Sequence, residues 1–359
     1  MKTPIAPPVA ESPRQARLVV HYPRTLGTVS LRGEKPLDWD VDLLPVEHDA
    51  TRAVFVVPVE MGEAVDAKLM RSDGTWATGR NLVLAAGDDF EIRPSFDRRT
   101  GALEPWMHLN GASPLRFRVL LPPSYAEQPG ARYPVVYAQD GQSLWSDGED
   151  PFGVWQLDQI LDELWSLGCV AELIVVSIDT GTTRFDHLGP VPDAKLGGGR
   201  GAEYLERLVT ELKPHIDRVY RTLPAPATTA CLGSSMGGLF AFFAAWTRPD
   251  VFGNAICLSS AFWWADRWAV KLARGGVCPA PRPVVYLDSG ASRAEFENDE
   301  NARDGQHHTR AVERALIAHC YEPGDDLHVL AFPGQGHDAR AWAGRVAIPL
   351  QLVFPRRDG

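Results

Sequence analysis

A serine enclosed by glycines, in the run GSSMGG from Gly233 to Gly238, constrains this chain more than any other feature. The pattern G-x-S-x-G needs a sharp, strained turn from a strand into a helix, with glycines where a Cβ would not fit between the two elements. Both flanking elements are legible. Ala227 to Leu232 reads as a strand, and Leu239, Phe240, Phe242, Phe243 and Trp246 recur at near-helical spacing up to Arg248-Pro249. Ser235 is therefore the candidate nucleophile. Taken alone, the pattern also fits a Gly/Ser loop ahead of a helix, so the rest of the chain has to decide.

The strand and helix around this turn belong to a longer alternation. Strand-like runs at Phe117 to Leu121, Pro134 to Ala138, Leu173 to Ile178, Thr228 to Leu232, Asn254 to Leu258, Pro283 to Leu287 and Leu327 to Ala331 are separated by amphipathic stretches. Among the latter are Val154 to Leu167, Tyr204 to Ile216 and Thr309 to His319. This alternation predicts an α/β fold with a mostly parallel sheet, in the order of an α/β-hydrolase, over residues 115–359. Residues 18–95 differ: short β-like runs separated by Gly, Asp and Pro predict a small all-β sandwich. Residues 96–114 read as a linker and 1–17 as a disordered tail. Trp39 and Trp76 are candidates for a surface that stacks on a ring-shaped ligand. The alternative places them in the sandwich core or at a domain interface.

Composition narrows the partners. Thirty-six Lys and Arg against 46 Asp and Glu leave a net charge of -10, which argues against nucleic acid and anionic membranes in general. It leaves room for an anionic ligand held by one local arginine. No apolar run is long enough for a membrane span. MKTPIAPPVAESPRQ carries prolines and charges where a signal peptide needs an apolar stretch, so a cytoplasmic location is expected. The five cysteines, Cys169, Cys231, Cys257, Cys278 and Cys320, are widely spaced and odd in number, and are expected as free thiols in a reducing compartment.

A serine hydroxyl needs a base to become a nucleophile, and in an α/β-hydrolase order the histidine comes last. His337, in PGQGHDARAW after the final strand, is the one of ten histidines that meets both order and context. The acid that orients the imidazole should follow the penultimate strand. There the sequence leaves several carboxylates, Glu295, Glu297, Asp299, Glu300 and Asp304; counting back from the next helix favours Asp304, and counting forward from Gly290 favours Glu295. Asp304 is preferred, and Asp288, at the strand end itself, is expected to serve structure. The acidic loop lacks the alternating acid and glycine spacing of a calcium site, so neither metal nor cofactor is expected. Backbone N–H groups for an oxyanion are expected from Met236, after the nucleophile, and from Gln142, after the Asp140-Gly141 turn. That turn, taken alone, is also an ordinary Asp-Gly turn.

Five segments in order, DGQSLW (140–145), SIDTGTTRFDHL (177–188), GSSMGGLFAFFAA (233–245), LSSAFWW (258–264) and GHDARAW (336–342), resemble the enterochelin esterase family within the esterase D-like group. The resemblance spans roughly residues 115–355. In the N-terminal region, SLRGEKPLDWD (30–40) and KLMRSDGTWATGRN (68–81) resemble the immunoglobulin-like modules that precede some siderophore esterases and glycan-active enzymes. The resemblance implies ester hydrolysis by Ser235 and His337 on ferric-siderophore trilactones, a small-molecule substrate, with Arg184 facing the anionic ligand. A salt bridge from Arg184 to Asp186 is the competing role for that arginine. Some members of the family work with a Ser/His pair alone. Two other functions stay open: a feruloyl or acetyl esterase acting on carbohydrate esters, and a binding protein that has kept a hydrolase shape. Nothing in the sequence bears on oligomeric state.

Overall fold

The computed structural model describes residues 15–110, 114–148, 150–291 and 304–356. Glu295, Glu297, Asp299 and Glu300 lie outside the described residues, as do the first fourteen residues of the expected tail.

The N-terminal unit is all β. Alternating apolar residues at Ala16, Leu18 and Val20 give β1 (Gln15–His21) one fully buried face. The unit continues with β2 (Val29–Gly33), β3 (Glu47–His48), β4 (Arg52–Pro58), β5 (Ala64–Arg71), β6 (Leu82–Ala85) and β7 (Asp89–Ile92). These strands make two sheets, ordered β3-β4-β1-β7 and β2-β5-β6. Leu18, Val20, Leu31, Phe55, Val57, Leu69 and Leu84 form their common core. The first strand begins at Gln15, three residues inside the expected tail.

The stretch expected as a linker is partly strand. Within it, β8 (Ala102–Leu103) and β9 (Met107–Leu109) both pair with β10 (Leu115–Leu121) and so extend the second domain's sheet. That sheet continues with β11 (Val135–Gln139), β12 (Ile174–Asp179), β13 (Thr229–Ser234), β14 (Asn254–Leu258), β15 (Val284–Ala291) and β16 (Leu327–Pro333). Its order is β16-β15-β14-β13-β11-β12-β10-β8, with β11 to β16 parallel and β10 antiparallel to β12. Each of the seven expected strands is present, Asn254–Leu258 with the expected bounds and the others displaced at an end by a few residues. The strand order reverses at β11: β12 lies on one side of it and β13 on the other. Such a switch point leaves a crevice at the strands' carboxyl ends.

The helices cover both faces. They are α1 (Leu157–Ser166), α2 (Arg184–Leu188), α3 (Gly201–Arg207) and α4 (Lys213–Val219), the last two joined by a π-helical segment at Leu208–Leu212. Then follow α5 (Met236–Thr247), α6 (Trp264–Gly275), α7 (Gln306–His319), α8 (Ala339–Ala343) and α9 (Ala347–Val353). Eleven of the twelve residues of α5 are buried, which accounts for a sequence apolar on every side rather than on one stripe.

The N-terminal unit docks at the sheet edge opposite the crevice. β10 ends beside the start of β12, with Leu120 opposite Val175, so the turn after it lies where the parallel strands begin. Glu127 in that turn is buried and accepts from Ser95 Oγ (2.7 Å), Phe96 N (3.0 Å), Asp97 N (2.8 Å) and Tyr22 Oη (3.1 Å). Gln128 Nε2 donates to the carbonyls of His21 and Pro94. Beside this seam is a cleft of 1560 Å³ lined by Trp39, Trp76, Arg80, Arg132 and Glu172. Trp39 and Trp76, each a little over a third exposed, meet edge to face in its wall. They are therefore not core residues, and they stand at the opposite edge of the sheet from Ser235.

The cysteine expectation needs one correction. Cys169, Cys231 and Cys257 are free thiols, but Cys278, after α6, and Cys320, at the end of α7, form a disulfide with Cα atoms 6.4 Å apart. The two helices pack together, and this brings together cysteines 42 positions apart. No helix among the described residues is long and apolar enough to cross a membrane.

Two outcomes are expected. Glu127→Ala leaves Phe96 and Asp97 N–H without an acceptor at a buried seam, and should cost roughly 2–4 kcal/mol in denaturant unfolding. Burial pushes the Glu172 carboxyl up from 4.5 to about 7, against hydrogen bonds from Ser124. A folded-state value raised above the unfolded one favours folding fully at low pH, and that contribution is lost as pH climbs from 4.5 to about 7. Glu172→Gln should flatten this stretch of the stability curve and raise stability at neutral pH.

Candidate active site

The elbow has the geometry its glycines imply. Ser235 has φ 54° and ψ -118°, between the end of β13 and the first residue of α5. This is a disfavoured region for any side chain, of the kind held at functional sites by surrounding structure. A Cβ on Gly233 would stand 2.4 Å from the Gly237 carbonyl carbon, and one on Gly238 would stand 2.3 Å from Ser260 Oγ. Strand and helix therefore cross at a distance open only to glycine. The turn is tied to the next strand on both sides: Ser235 N–H donates to Leu258 O, and Ser235 O accepts from Ala261 N, each at 2.9 Å.

Two of the expected catalytic residues are joined directly. His337 Nδ1 lies 2.5 Å from Asp304 Oδ1, with Asp304 buried and the histidine side chain about a third exposed. Among the carboxylates weighed from sequence, Asp304 is the one that meets the imidazole within the described residues. Its Oδ2 accepts from Gly290 N and Ser259 Oγ, each at 2.5 Å. Ser259 follows Leu258 at the end of β14, so the chain of contacts from Ser235 to Leu258 to Ser259 to Asp304 brings His337 to the edge that carries the nucleophile. No hydrogen bond joins His337 to Ser235 Oγ among the described residues. Nucleophile and base are often long or misaligned without substrate.

The expected oxyanion donors lie at element starts. Met236 is the first residue of α5, so its N–H has no intrahelical acceptor. Gln142 is the middle residue of the 3-10 turn Gly141–Ser143 after β11, whose first N–H groups are likewise unpaired within the turn. Asp140, with φ 57°, reverses the chain ahead of this turn. Arg184 corrects the alternative weighed from sequence. It does not bridge to Asp186; its Nε and Nη2 donate to Asp140 Oδ1 and Oδ2, both at 2.8 Å. Thr180 Oγ1 also donates to Asp140 Oδ1, at 2.5 Å. A bidentate guanidinium fixes both the plane and the position of a carboxylate. Arg184 thus holds the loop that carries Gln142.

Aromatic rings lie against the histidine and in the segment after β14 that bonds to Ser235. The Trp342 ring meets His337 edge-on at 5.0 Å, and Phe185, 42 % exposed, stacks on Trp264 at 5.7 Å. Trp263, 41 % exposed, adjoins Trp264 in the loop bound to Ser235. Asp288, expected at a strand end in a structural role, is fully buried and lies inside β15, which runs on to Ala291; burial pushes its carboxyl up to about 6, against the nearby Arg345. Sequence reading missed Ser259 and Arg345 altogether. LSSAFWW was visible as a segment, but a buried arginine has the same letter as a surface one.

The family described as putative esterase matches residues 112–347. A siderophore enterobactin esterase of Emericella nidulans is 28% identical over 148 residues, covering 38% of this chain and 47% of that protein. An endo-1,4-beta-xylanase/feruloyl esterase of Xylanibacter ruminicola is 31% identical over 224 residues, covering 62% of this chain and 26% of that protein. The chain thus spans less than half the length of each of these relatives. The solved enterobactin esterase FES from Shigella flexneri, in the presence of enterobactin, shares the fold at TM-score 0.55 and 15% identity, covering 94% of this chain and 92% of that one.

Arg184→Met removes both bonds to Asp140 from a partly exposed position and should leave the fold intact. Fluorophosphonate labelling of Ser235 should slow about 10-fold or more, because the probe's phosphoryl oxygen needs the same donors as an oxyanion.

Proposed function

The chain belongs to the esterase family, and on that premise we propose that it is a serine hydrolase of carboxylic esters of the enterochelin esterase type. Ser235 is the nucleophile, His337 the base and Asp304 the acid. The observation that carries this reading is the 2.5 Å contact between His337 Nδ1 and Asp304 Oδ1, on the sheet edge where the strained Ser235 follows β13.

The chemistry follows from the atoms. His337 keeps its proton on Nδ1, hydrogen-bonded to Asp304, which leaves Nε2 as the lone-pair nitrogen that takes the Ser235 proton. The alkoxide adds to the ester carbonyl, and the oxyanion is held by the N–H groups of Met236 and Gln142. The Nε2 proton passes to the departing alcohol, and the acyl group stays on Ser235. Water, deprotonated by the same nitrogen, then releases the acid. Asp304 stays ionised throughout and stabilises the imidazolium that forms twice per turnover.

A ferric-siderophore ester, a small-molecule substrate, is supported by the enterobactin esterase matches, by the exposed rings of Phe185 and Trp263 and by Trp342 against His337. Catecholate rings would find apolar faces there. The two-sheet N-terminal unit is read as an immunoglobulin-like module that docks away from the chemistry.

A second reading, hydrolysis of feruloyl or acetyl esters of carbohydrate, has two supports. One is the xylanase/feruloyl esterase match; the other is the Cys278–Cys320 bridge, a bond that persists in oxidising surroundings. Initial rates on a ferric trilactone and on methyl ferulate separate the two readings. Ser235→Ala should lower turnover of p-nitrophenyl acetate by at least about 10⁴-fold. Undiminished turnover in that variant overturns the mechanism, and a folded wild-type chain inert to fluorophosphonates would instead indicate a binding protein.

A further inference from the structure

Arg345 is among the largest fully buried side chains of the protein, and its position explains why it is tolerated there. It follows α8, and its guanidinium lies over the Phe332 ring with the centroid 5.2 Å away. Nη2 donates to Ser259 Oγ at 2.6 Å. Nη1 stands 3.6 Å from Asp304 Oδ2 and Nε 3.5 Å from Asp288 Oδ2, as ion pairs rather than hydrogen bonds. Asp288 accepts in addition from Ser259 N and Tyr286 Oη.

These contacts dictate where one proton points. With Arg345 donating to its oxygen, the Ser259 hydroxyl has its hydrogen free for Asp304 Oδ2. That oxygen is then occupied by Ser259 and by Gly290 N, so Oδ1 alone is left for His337. We propose that Arg345 and Ser259 are positioning residues for catalysis. Through the relay Arg345 to Ser259 to Asp304 they fix the carboxylate plane on which the tautomer and orientation of His337 depend. This rests on the Ser235/His337/Asp304 reading and adds to it two residues that touch neither substrate nor the reacting atoms.

The charges support the same assignment. With both carboxylates ionised, Asp288 and Asp304 carry two negative charges against the single guanidinium. One negative charge stays in excess among side chains that are fully buried, next to the ring that becomes an imidazolium. A charge that develops only in the transition state gains most from a counter-charge already in place. A purely structural arginine would have no reason to leave that excess.

Ser259 supplies the decisive variant. It has φ 43°, so Ser259→Gly removes the hydroxyl without new backbone strain and leaves both Arg345 ion pairs in place. On p-nitrophenyl acetate, kcat should fall about 10-fold with KM within about 2-fold of wild type. The same change in an Asp304→Asn background should have no further effect, because the relay acts only through that carboxylate. Arg345→Lys keeps the charge but loses the fork, and should give a kcat loss that is not additive with Ser259→Gly.

Wild-type kcat in Ser259→Gly, or an undiminished extra loss in the Asp304→Asn background, overturns the positioning role. The two Ser259 measurements decide it even if no Arg345 variant folds. Undiminished turnover in Ser235→Ala would instead remove the catalytic reading beneath it, so the two failures are distinguishable.

Discussion

Ser235 holds a backbone angle that its side chain disfavours, and much of the second domain can be understood as what keeps it there. Such a residue costs on the order of 1–3 kcal/mol and persists only where its surroundings leave no alternative. Here α5 is buried on nearly every side, β13 is paired on both edges, and the turn bonds once to the last residue of β14 and once to the chain after it. Relaxing the turn would mean moving a wholly buried helix away from a central strand. The strain is thus held by packing, and the hydroxyl is presented at the end of a strand rather than within a mobile loop.

The two edges of the central sheet divide the work. At the edge where the parallel strands begin, Glu127 draws the N-terminal unit in by accepting from four donors of that unit. At the edge where they end, Asp140 and Asp304 are each gripped by an arginine and a hydroxyl. In both places a buried carboxylate organises backbone that has no regular partner. The likeness is physical: water is excluded, so an unmatched charge or N–H is costly and the arrangement has few alternatives. The cleft beside Trp39 and Trp76 belongs to the first edge, at the opposite end of the strands from Ser235.

Much of the candidate site was legible in the sequence, because it is written in local patterns. Gly233 announces the elbow through a close approach to Gly237, four positions on. The apolar strand runs announce the sheet through burial on both faces, and His337 is located by its place after the last strand. Asp304 was reached by counting back from α7, one of several carboxylates in an acidic stretch where composition could not choose. Arg184 was singled out for its charge, but its partner lies 44 positions away in the loop after β11, beyond any local pattern.

The sequence by itself therefore determined the elements and the chemistry-bearing types: a strained serine, a late histidine, an acid after the penultimate strand, glycines where backbones cross. Short-range sterics and periodic burial suffice for these. Only the tertiary structure decided which charges meet. Arg345 with Asp304, Arg184 with Asp140 and Cys278 with Cys320 are paired by the way the sheet closes and the helices pack. The physical reason is that ion pairs and bridges depend on distance in space, and one chain letter carries no information about the residue that will stand 3 Å from it.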